Sequence, residues 1–401
     1  MNLPRLRRLE AWERNQYVMT AVVFVVFTGF AFVLPFLPLF VRDLGIGDKE
    51  EAALWAGVLI GVSPLLAGLL APVWGRLADR HGQKRMALRA LVSYVALLAL
   101  SALVRDVHEL LACRIGIGLF GGIGPLGLAM ATSLAPREQT GRAVGLIQAA
   151  QILAAAVGPL VGGYLADAIG VRRTFLVTSA LCAFAVLLVV RYYEEGPRPT
   201  PGAAPAGTNL SFGGVLRLHG VPGLLVVLFF VNFVGRSFTP ILPLHLERLG
   251  VPAPRLASAT GALISVYSIA AALSATVLGR ASRKLEPRRL LAASLLCGAA
   301  TVAPMAAVST FPGFLVLAVL LGLASGGALT LCYTIGGLMV PAEAKTTAFG
   351  FFSGAALFGG ALSPSVAGII AHWQLLGIYW TDAALFAVLA MTLLRSPRPD
   401  A

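Results

Sequence analysis

Charged residues and cysteines are scarce in this chain. Asp, Glu, Lys and Arg make up 12% of its 401 residues, and only 18 residues are acidic. The five histidines lie at or beyond the ends of apolar stretches and lack the spacing of metal ligands. No Gly-x-x-x-x-Gly-Lys-Ser/Thr phosphate loop is present. The sequence therefore predicts a protein that is not an enzyme, without catalytic residues, metal or cofactor. The isolated cysteines indicate packing residues rather than a disulfide framework: Cys113, Cys182, Cys297 and Cys332.

Long apolar stretches fill the sequence instead. Hydrophobic residues make up 58% of the chain, and its mean hydropathy is +0.84. A helix needs roughly 20 apolar residues to cross a bilayer. The stretches therefore predict an all-α membrane protein with twelve transmembrane helices. They lie near 17–41, 53–75, 86–104, 108–131, 143–166, 173–192, 219–245, 257–279, 290–309, 312–334, 346–370 and 376–394.

The distribution of basic residues predicts the orientation. If the N-terminus and every second connection face the cytoplasm, 22 of the 31 Lys and Arg residues lie on that side and seven on the other. This positive-inside asymmetry predicts a multi-pass protein of the cytoplasmic membrane with both termini cytoplasmic. The net charge of +13 is then a sign of topology, and we expect no nucleic-acid partner. The first apolar stretch is too long for a cleavable signal peptide.

One polar segment divides the chain. Residues 194–218 contain four prolines together with Gly and Ala, a composition typical of a flexible linker. We expect an N-terminal half of six helices, 1–193, a cytoplasmic linker, 194–218, and a C-terminal half of six helices, 219–401.

The two halves look like copies of one another. PFLPLFVRDLG at Pro35 matches PILPLHLERLG at Pro240, and the basic segment at Gly75 recurs at Gly279. A third match aligns Gly145, Pro159 and Gly163 with Gly350, Pro364 and Gly368. The three matches share an offset of 204 or 205 residues, which indicates an internal duplication.

The segment GRLADRHGQKR, residues 75–85, is a basic loop between two long apolar stretches in this interpretation. It resembles the signature loop of the major facilitator superfamily of transporters. The resemblance covers the whole chain and points to the twelve-span multidrug efflux branch of drug:proton antiporters. It implies two pseudo-symmetric six-helix halves with the substrate site between them near the middle of the membrane.

The same resemblance implies that this loop is a conformational latch. The carboxylate of Asp79 can hydrogen-bond the N-terminus of a neighbouring helix, whose dipole favours negative charge. We assign the cytoplasmic latch to Gly75, Asp79, Arg80, Gly82 and Arg85, with Glu138 as the expected partner of Arg80. The alternative is a plain basic anchor, which is how we interpret Arg76, Lys84 and Arg89. In the second copy Arg283 replaces Asp79, so that latch is expected to be lost or altered.

Two further features resemble helix motifs of the superfamily. Arg114-x-x-x-Gly118 in the fourth stretch resembles the motif whose arginine is associated with proton coupling in drug antiporters. The alternative is that Arg114 extends to the outer membrane interface. A Gly-Pro-x-x-Gly-Gly motif in the fifth stretch resembles that of the exporting branches, although glycines also simply allow close helix packing. Its residues are Gly158, Pro159, Gly162 and Gly163.

A substrate cavity is predicted from the first, fifth and seventh stretches. Asn232 and Arg236 are four residues apart and share a helix face, and an arginine within the membrane needs a partner or water. A cavity with aromatics and few fixed charges suits varied apolar compounds. For each phenylalanine, contact with lipid or another helix is the alternative. The other candidates are Phe24, Phe27, Phe30, Gln148, Gln151, Phe229 and Phe233.

The predicted function is secondary active export of small, mainly apolar drugs or toxic compounds by alternating access, in exchange for protons. The expected partners are small-molecule substrates, protons and membrane lipid, and the expected state is a monomer. Drug antiporters often carry a carboxylate within the first or fourth helix, and here neither stretch has one in its interior, since Glu109 lies at the very start of the fourth. Asp382 is predicted to be the most buried carboxylate, but it is shallow in the twelfth stretch, and that helix usually packs peripherally in the superfamily.

Two alternatives stay open. A narrow-specificity carrier of one metabolite, sugar or organic anion would use Arg114 and Arg236 to hold an anionic substrate. A membrane receptor or scaffold without transport activity would need a soluble domain or a long tail, which this sequence does not show.

Overall fold

The computed structural model describes residues 10–132, 136, 139–195, 214, 218, 220–340 and 345–395. Every regular element in this part of the chain is a helix. This is expected in a membrane, because lipid offers no hydrogen bonds and each backbone N–H and C=O group must find its partner within the same helix. The prediction of an all-α membrane fold is confirmed. The described residues also include short 3-10 helices at Leu34–Phe36, Ala253–Arg255 and Ala303–Ala306.

The α-helices follow the apolar stretches. Those before the linker are α1 (Ala11–Ala31), α2 (Leu37–Asp43), α3 (Lys49–His81), α4 (Gln83–Ser101), α5 (Val107–Phe120), α6 (Ile123–Thr132), α7 (Thr140–Ile169) and α8 (Val171–Tyr192). Those after it are α9 (Val221–Ser237), α10 (Leu242–Arg248), α11 (Leu256–Ala281), α12 (Pro287–Val302), α13 (Phe311–Ser325), α14 (Ala328–Met339), α15 (Lys345–Trp373) and α16 (Gly377–Arg395).

Most of the twelve predicted transmembrane spans are helices that are long and apolar enough to cross a membrane. Among the described residues, nine helical segments are long and apolar enough to cross a membrane, or ten if α9 and α10, bent by 46°, form one span. The other two predicted spans are also helical: one is α4, and the other is α5 followed by α6. The described part of the chain thus has a helical stretch at each of the twelve predicted positions, and length and composition identify nine or ten of them as spans.

Prolines explain the broken first and seventh spans. Pro35 and Pro38 lie at the start of the 3-10 helix after α1 and at the start of α2, and Pro243 lies at the start of α10. Proline lacks the amide hydrogen that a continuing helix requires, but it is accepted in a first helical turn. The repeat-related prolines thus interrupt both helices at corresponding positions.

The fourth predicted span is not one continuous helix. It stops at Phe120 and resumes at Ile123, because Gly121 is extended and Gly122 has a φ of +110°, a left-handed conformation that glycine adopts without strain. The Tyr94 hydroxyl accepts a hydrogen bond from the Gly122 amide at 3.2 Å. The prediction of an unbroken helix over 108–131 was wrong because adjacent glycines permit this break.

The chain forms two compact units. Unit 1 comprises Met1–Gly45, Val62–Ala203 and Pro254–Ser265, and unit 2 comprises Ile46–Gly61, Ala204–Ala253 and Val266–Ala401. In unit 1, α1 packs on α7 and α8, and α4 packs on α8. In unit 2, α9 packs on α15 and α12 packs on α16. Each unit thus includes a short piece of the opposite sequence half: the start of α3 in unit 2 and the start of α11 in unit 1.

Candidate transport site

The Gly-Pro-x-x-Gly-Gly motif lies where α7 meets two other parts of unit 1. A Cβ atom at Gly158 would lie 2.5 Å from the Ala31 Cβ, and one at Gly162 would overlap the backbone of Phe32. A Cβ at Gly163 would overlap the carbonyl oxygen of Ala257 in α11. The motif therefore lets α7 approach the end of α1 on one side and the start of α11 on the other.

A carboxylate strengthens the contact between α7 and α11. The two oxygens of Asp167 accept hydrogen bonds from the backbone amides of Ala257 at 3.1 Å and of Ser258 at 2.8 Å. Both amides belong to the first turn of α11, where helix N–H groups have no partner within the helix. The negative charge also complements the helix dipole.

The same helix crossing occurs in unit 2 with repeat-related residues. A Cβ at Gly57 of α3 would overlap the Pro364 carbonyl oxygen, and a Cβ at Gly368 would lie 2.7 Å from the Ala53 carbonyl oxygen. In unit 1 the corresponding overlap is between Gly261 and the Pro159 carbonyl oxygen. The internal duplication is therefore visible as two equivalent close crossings, one in each unit.

The basic segment is mostly helix rather than loop. Residues 75–81 form the last turns of α3, and only Gly82, with a φ of +96°, separates them from α4. Gly75, Arg80 and Arg85 are exposed, and Gly82 is buried. The side chain of Asp79 and all of Glu138 lie outside the described residues. The expectation of a loop was wrong because one left-handed glycine is enough to reverse the chain.

Two residues interpreted as surface anchors have structural partners. Lys84 Nζ donates to the carbonyl oxygen of Tyr193 at 2.7 Å, at the C-terminal end of α8. Arg89 donates to the carbonyl oxygen of Phe120 at 3.2 Å, and its guanidinium lies 3.4 Å from the ring centroid of Trp74. Both cations thus bind helix C-termini, where they satisfy free carbonyls and complement the dipole. The interpretation as plain anchors was incomplete.

Arg114 is buried within unit 1. Its side chain is 1% exposed, and its guanidinium carbon lies 5.7 Å from the ring centroid of Phe175. Among the described residues, neither Nε nor one terminal nitrogen of Arg114 has a hydrogen-bond partner. The side chain does not extend to a surface, so the alternative of an interfacial arginine was wrong. A buried Arg114 also does not offer its charge to a bound anion.

A cavity of about 150 Å³ lies within unit 2. Its wall includes Asn232 and Arg236 of α9, Tyr267 of α11, Ser325 of α13 and Phe386 of α16. Arg236 is exposed and lines this cavity, as expected for an arginine in an apolar surrounding, which needs access to a partner or to water. Pockets for drug-sized ligands measure roughly 300–1,000 Å³, so this cavity can hold only part of such a molecule.

The other cavity candidates have mixed environments. Phe229 and Phe233 pack with Phe230 on α9, and neither is among the described residues that line the unit 2 cavity. Phe30 packs edge to face on Tyr94 with ring centroids 5.1 Å apart. Gln148 is exposed, and the remaining candidates are half-buried in unit 1: Phe24, Phe27 and Gln151.

The sequence interpretation missed a buried polar cluster in unit 2. Asp382 is fully buried and accepts a hydrogen bond from the Ser237 hydroxyl. His245 and the Tyr379 hydroxyl share a buried hydrogen bond of 2.8 Å. Asp382 is thus enclosed within its unit, although it lies only five residues after the start of α16. No pattern in the sequence pairs Ser237 with Asp382, because the two residues lie on different helices and are 145 positions apart.

Comparison with known proteins identifies the family. A sequence profile of the Major Facilitator Superfamily matches residues 19–260 and 256–401. The chain belongs to this superfamily. Membership makes it a multi-pass membrane transporter of small molecules and not an enzyme, and it confirms the resemblance first drawn from the segment at Gly75.

Two curated relatives cover most of the chain. The "Multidrug resistance protein MdtG" of Dickeya zeae is 33% identical over 324 residues, which are 81% of this chain and 79% of the relative. The "Multi-drug resistance efflux pump PmrA homolog" of Lactococcus lactis is 30% identical over 363 residues, 90% of this chain and 89% of the relative.

Solved structures share the fold. The inward-facing, unoccupied crystal structure of a bacterial homolog of the human lysosomal transporter Spinster has a TM-score of 0.77 at 17% identity, covering 97% of this chain and 99% of that one. The human organic anion transporter MFSD10 (TETRAN) has a TM-score of 0.66 at 18% identity, covering 96% of this chain and 100% of that one. These likenesses concern the fold alone.

Proposed function

We propose that this protein exports small, mainly apolar drugs or toxic compounds across the cytoplasmic membrane by alternating access. The relatives named as multidrug resistance proteins, which match about four fifths of the chain or more, are the observation that carries this proposal. The Gly-Pro-x-x-Gly-Gly motif supports it, because its glycines occupy the close helix crossing in unit 1. A narrow carrier of an organic anion is less well supported, since Arg114 is buried.

Protons drive the export, and the binding site lies between the two halves of the chain in this proposal. Export occurs in exchange for protons, in a monomer surrounded by lipid, with both termini on the cytoplasmic side as the basic residues indicate. The N-terminal half, 1–193, and the C-terminal half, 219–401, move relative to each other in the transport cycle. The substrate binds near the middle of the membrane, with Asn232 and Arg236 contributing the polar contacts of the C-terminal half.

Arg236 sets substrate preference in this proposal. Arg236→Ala removes the one cationic side chain that the described residues contribute to the wall of the unit 2 cavity. We expect the ratio of cationic to neutral dye export to rise about tenfold, because repulsion of the cation is lost. Export of ethidium and Nile red would be compared in the same cells. Arg280→Ala removes an exposed charge at the end of α11 and serves as the control. An unchanged ratio would exclude Arg236 from the substrate path.

Asp79 provides the test of the cytoplasmic latch. Asp79→Asn keeps the size of the side chain and removes the charge, and we expect transport to fall by about tenfold, the effect of losing 1–2 kcal/mol of charge–dipole stabilisation. Expression and thermal stability should stay near those of the wild type. The control is Arg283→Gln, the corresponding position of the second repeat, which should transport normally. Full activity of Asp79→Asn would remove the latch.

Efflux from intact cells tests the export function itself. A bacterial strain lacking its main efflux pumps would be loaded with ethidium or Nile red and re-energised, with and without the full-length protein. We expect faster loss of both dyes in cells that contain the protein, and a proton uncoupler should abolish the difference. Equal dye loss with verified membrane expression would contradict multidrug export.

A further inference from the structure

The carboxyl group of Asp382 is enclosed by unit 2. Its side chain is 0% exposed, and one oxygen accepts the Ser237 hydroxyl. Among the described residues, the other oxygen, Oδ1, has no hydrogen-bond partner. Burying an ionised carboxylate without a positive partner costs several kcal/mol. A carboxyl group in this position therefore needs a proton or an approaching cation.

Among the described residues, no cationic side chain is in direct contact with Asp382. Tyr379 on the same helix and Tyr267 on α11 interact with it electrostatically. His245 of α10 faces the cluster but is bound to the Tyr379 hydroxyl. Beside Ser237, α9 also presents Arg236, whose electrostatic partner is Tyr267. None of these groups therefore forms an ion pair with Asp382.

The other elements packed on α16 present no titratable group near Asp382 in the described part of the chain. On α12, Arg288 donates at 2.8 Å to the carbonyl oxygen of Leu393, about three turns away. The 3-10 helix Ala303–Ala306 has no titratable side chain. On α15, His372 is exposed and contacts Trp373.

Asp382 lies directly behind the wall of the unit 2 cavity. Phe386, one turn further along α16, lines the cavity, as do Arg236 and Tyr267. Ser237 follows Arg236 on α9, so one residue faces the cavity and the next binds Asp382. Tyr267 interacts with both Arg236 and Asp382. Asp382 is therefore one residue removed from the cavity arginine, through Ser237 next to it in sequence and through Tyr267 in the cavity wall.

We propose that Asp382 binds and releases the proton that is exchanged for substrate, and that Ser237 and Tyr267 connect it to the Arg236 cavity. This inference rests on the proposed function. On binding, an O–H bond forms at Oδ1 with a proton delivered by water from the outside. On release, that bond breaks and the proton passes to water on the cytoplasmic side. The ionised carboxylate attracts the Arg236 guanidinium, and the protonated form does not.

Proton release on ligand binding tests the assignment. The full chain in detergent would be titrated with ethidium and then with Nile red in weak buffer containing a pH indicator. The wild type should release about one proton for each dye molecule bound, the count expected for a single titrating group. Asp382→Asn should bind both dyes and release none. Glu247→Gln, which removes another carboxylate of unit 2, should behave as the wild type.

The possible results separate the two proposals. If Asp382→Asn releases as many protons as the wild type, the assignment of Asp382 is overturned while proton exchange stands. If the wild type binds and transports the dyes without any proton release, proton exchange itself is overturned. Should Asp382→Asn not fold, Ser237→Ala keeps the acid but removes its hydrogen bond, and it should shift the pH midpoint of release by about one unit. An unchanged midpoint would also overturn the assignment.

Discussion

Gly163→Ala is expected to reduce drug export by at least about tenfold and to lower the melting temperature of the purified protein, since overpacking costs typically 1–3 kcal/mol. The added methyl group would overlap the Ala257 carbonyl oxygen and lie 2.9 Å from the Ser258 Cα. Backbone atoms cannot rotate away as a side chain can, so α7 and α11 must separate. Separation also pulls the Asp167 oxygens from the amides of Ala257 and Ser258.

A second glycine of the same helix provides the matched control. Gly145 also belongs to α7, and a Cβ there would meet no atom within 4 Å. Gly145→Ala should therefore leave export unchanged and stabilise the helix by up to about 1 kcal/mol, the difference in helix propensity between alanine and glycine. Equal behaviour of the two variants would show that the close crossing has no role in transport.

Arg114→Leu is expected to separate folding from function. Two guanidinium nitrogens of Arg114 have no hydrogen-bond partner among the described residues, and a buried charge that is not fully hydrogen-bonded is costly. The melting temperature in detergent should therefore stay the same or rise when leucine replaces it. Proton-coupled export should nevertheless fall by about tenfold or more if the fourth-span arginine supports coupling as the resemblance implies. Dye binding should persist, because Arg114 is 1% exposed and buried away from any ligand.

A hydrogen-bonded arginine of the same unit serves as the comparison. Arg172 donates to the carbonyl oxygens of Ala102 at 3.0 Å and Val104 at 2.8 Å. Arg172→Leu should lower the melting temperature, because two carbonyls lose a charged donor worth about 1.5–3 kcal/mol each. If Arg114→Leu instead loses stability like Arg172→Leu and keeps normal proton-coupled export, Arg114 is a structural residue.

The fold was largely predictable because a backbone surrounded by lipid must form all its hydrogen bonds within the protein, which few structures allow. Long apolar stretches must be helical, and the prolines at Pro35, Pro38 and Pro243 mark where helices begin again. The break at Gly122 was not predictable, since glycine is also common within transmembrane helices. The sequence also did not show that a single left-handed residue, Gly82, connects α3 and α4 where a loop was expected.

The candidate site was predictable only in part. The spacing of Asn232 and Arg236 correctly places both on the face that lines the unit 2 cavity. Sequence periodicity does not show which helix covers which face, so Phe233 and Asp382 could not be assigned to a surface or a core. Asp382 is enclosed because Ser237 of a different helix meets it, and the two are 145 residues apart in sequence. Such contacts depend on packing that a linear pattern does not contain.

Proton flux driven by unrelated substrates tests the central claim most directly. The purified protein would be reconstituted into liposomes with an imposed pH gradient, and internal pH would be followed while ethidium, Nile red and an organic anion are added in turn. Proton-coupled multidrug export predicts substrate-dependent proton movement with both dyes, and none in liposomes without protein. Flux with the anion alone would contradict this account and favour a narrow carrier, and no flux with any compound in folded protein would contradict proton exchange.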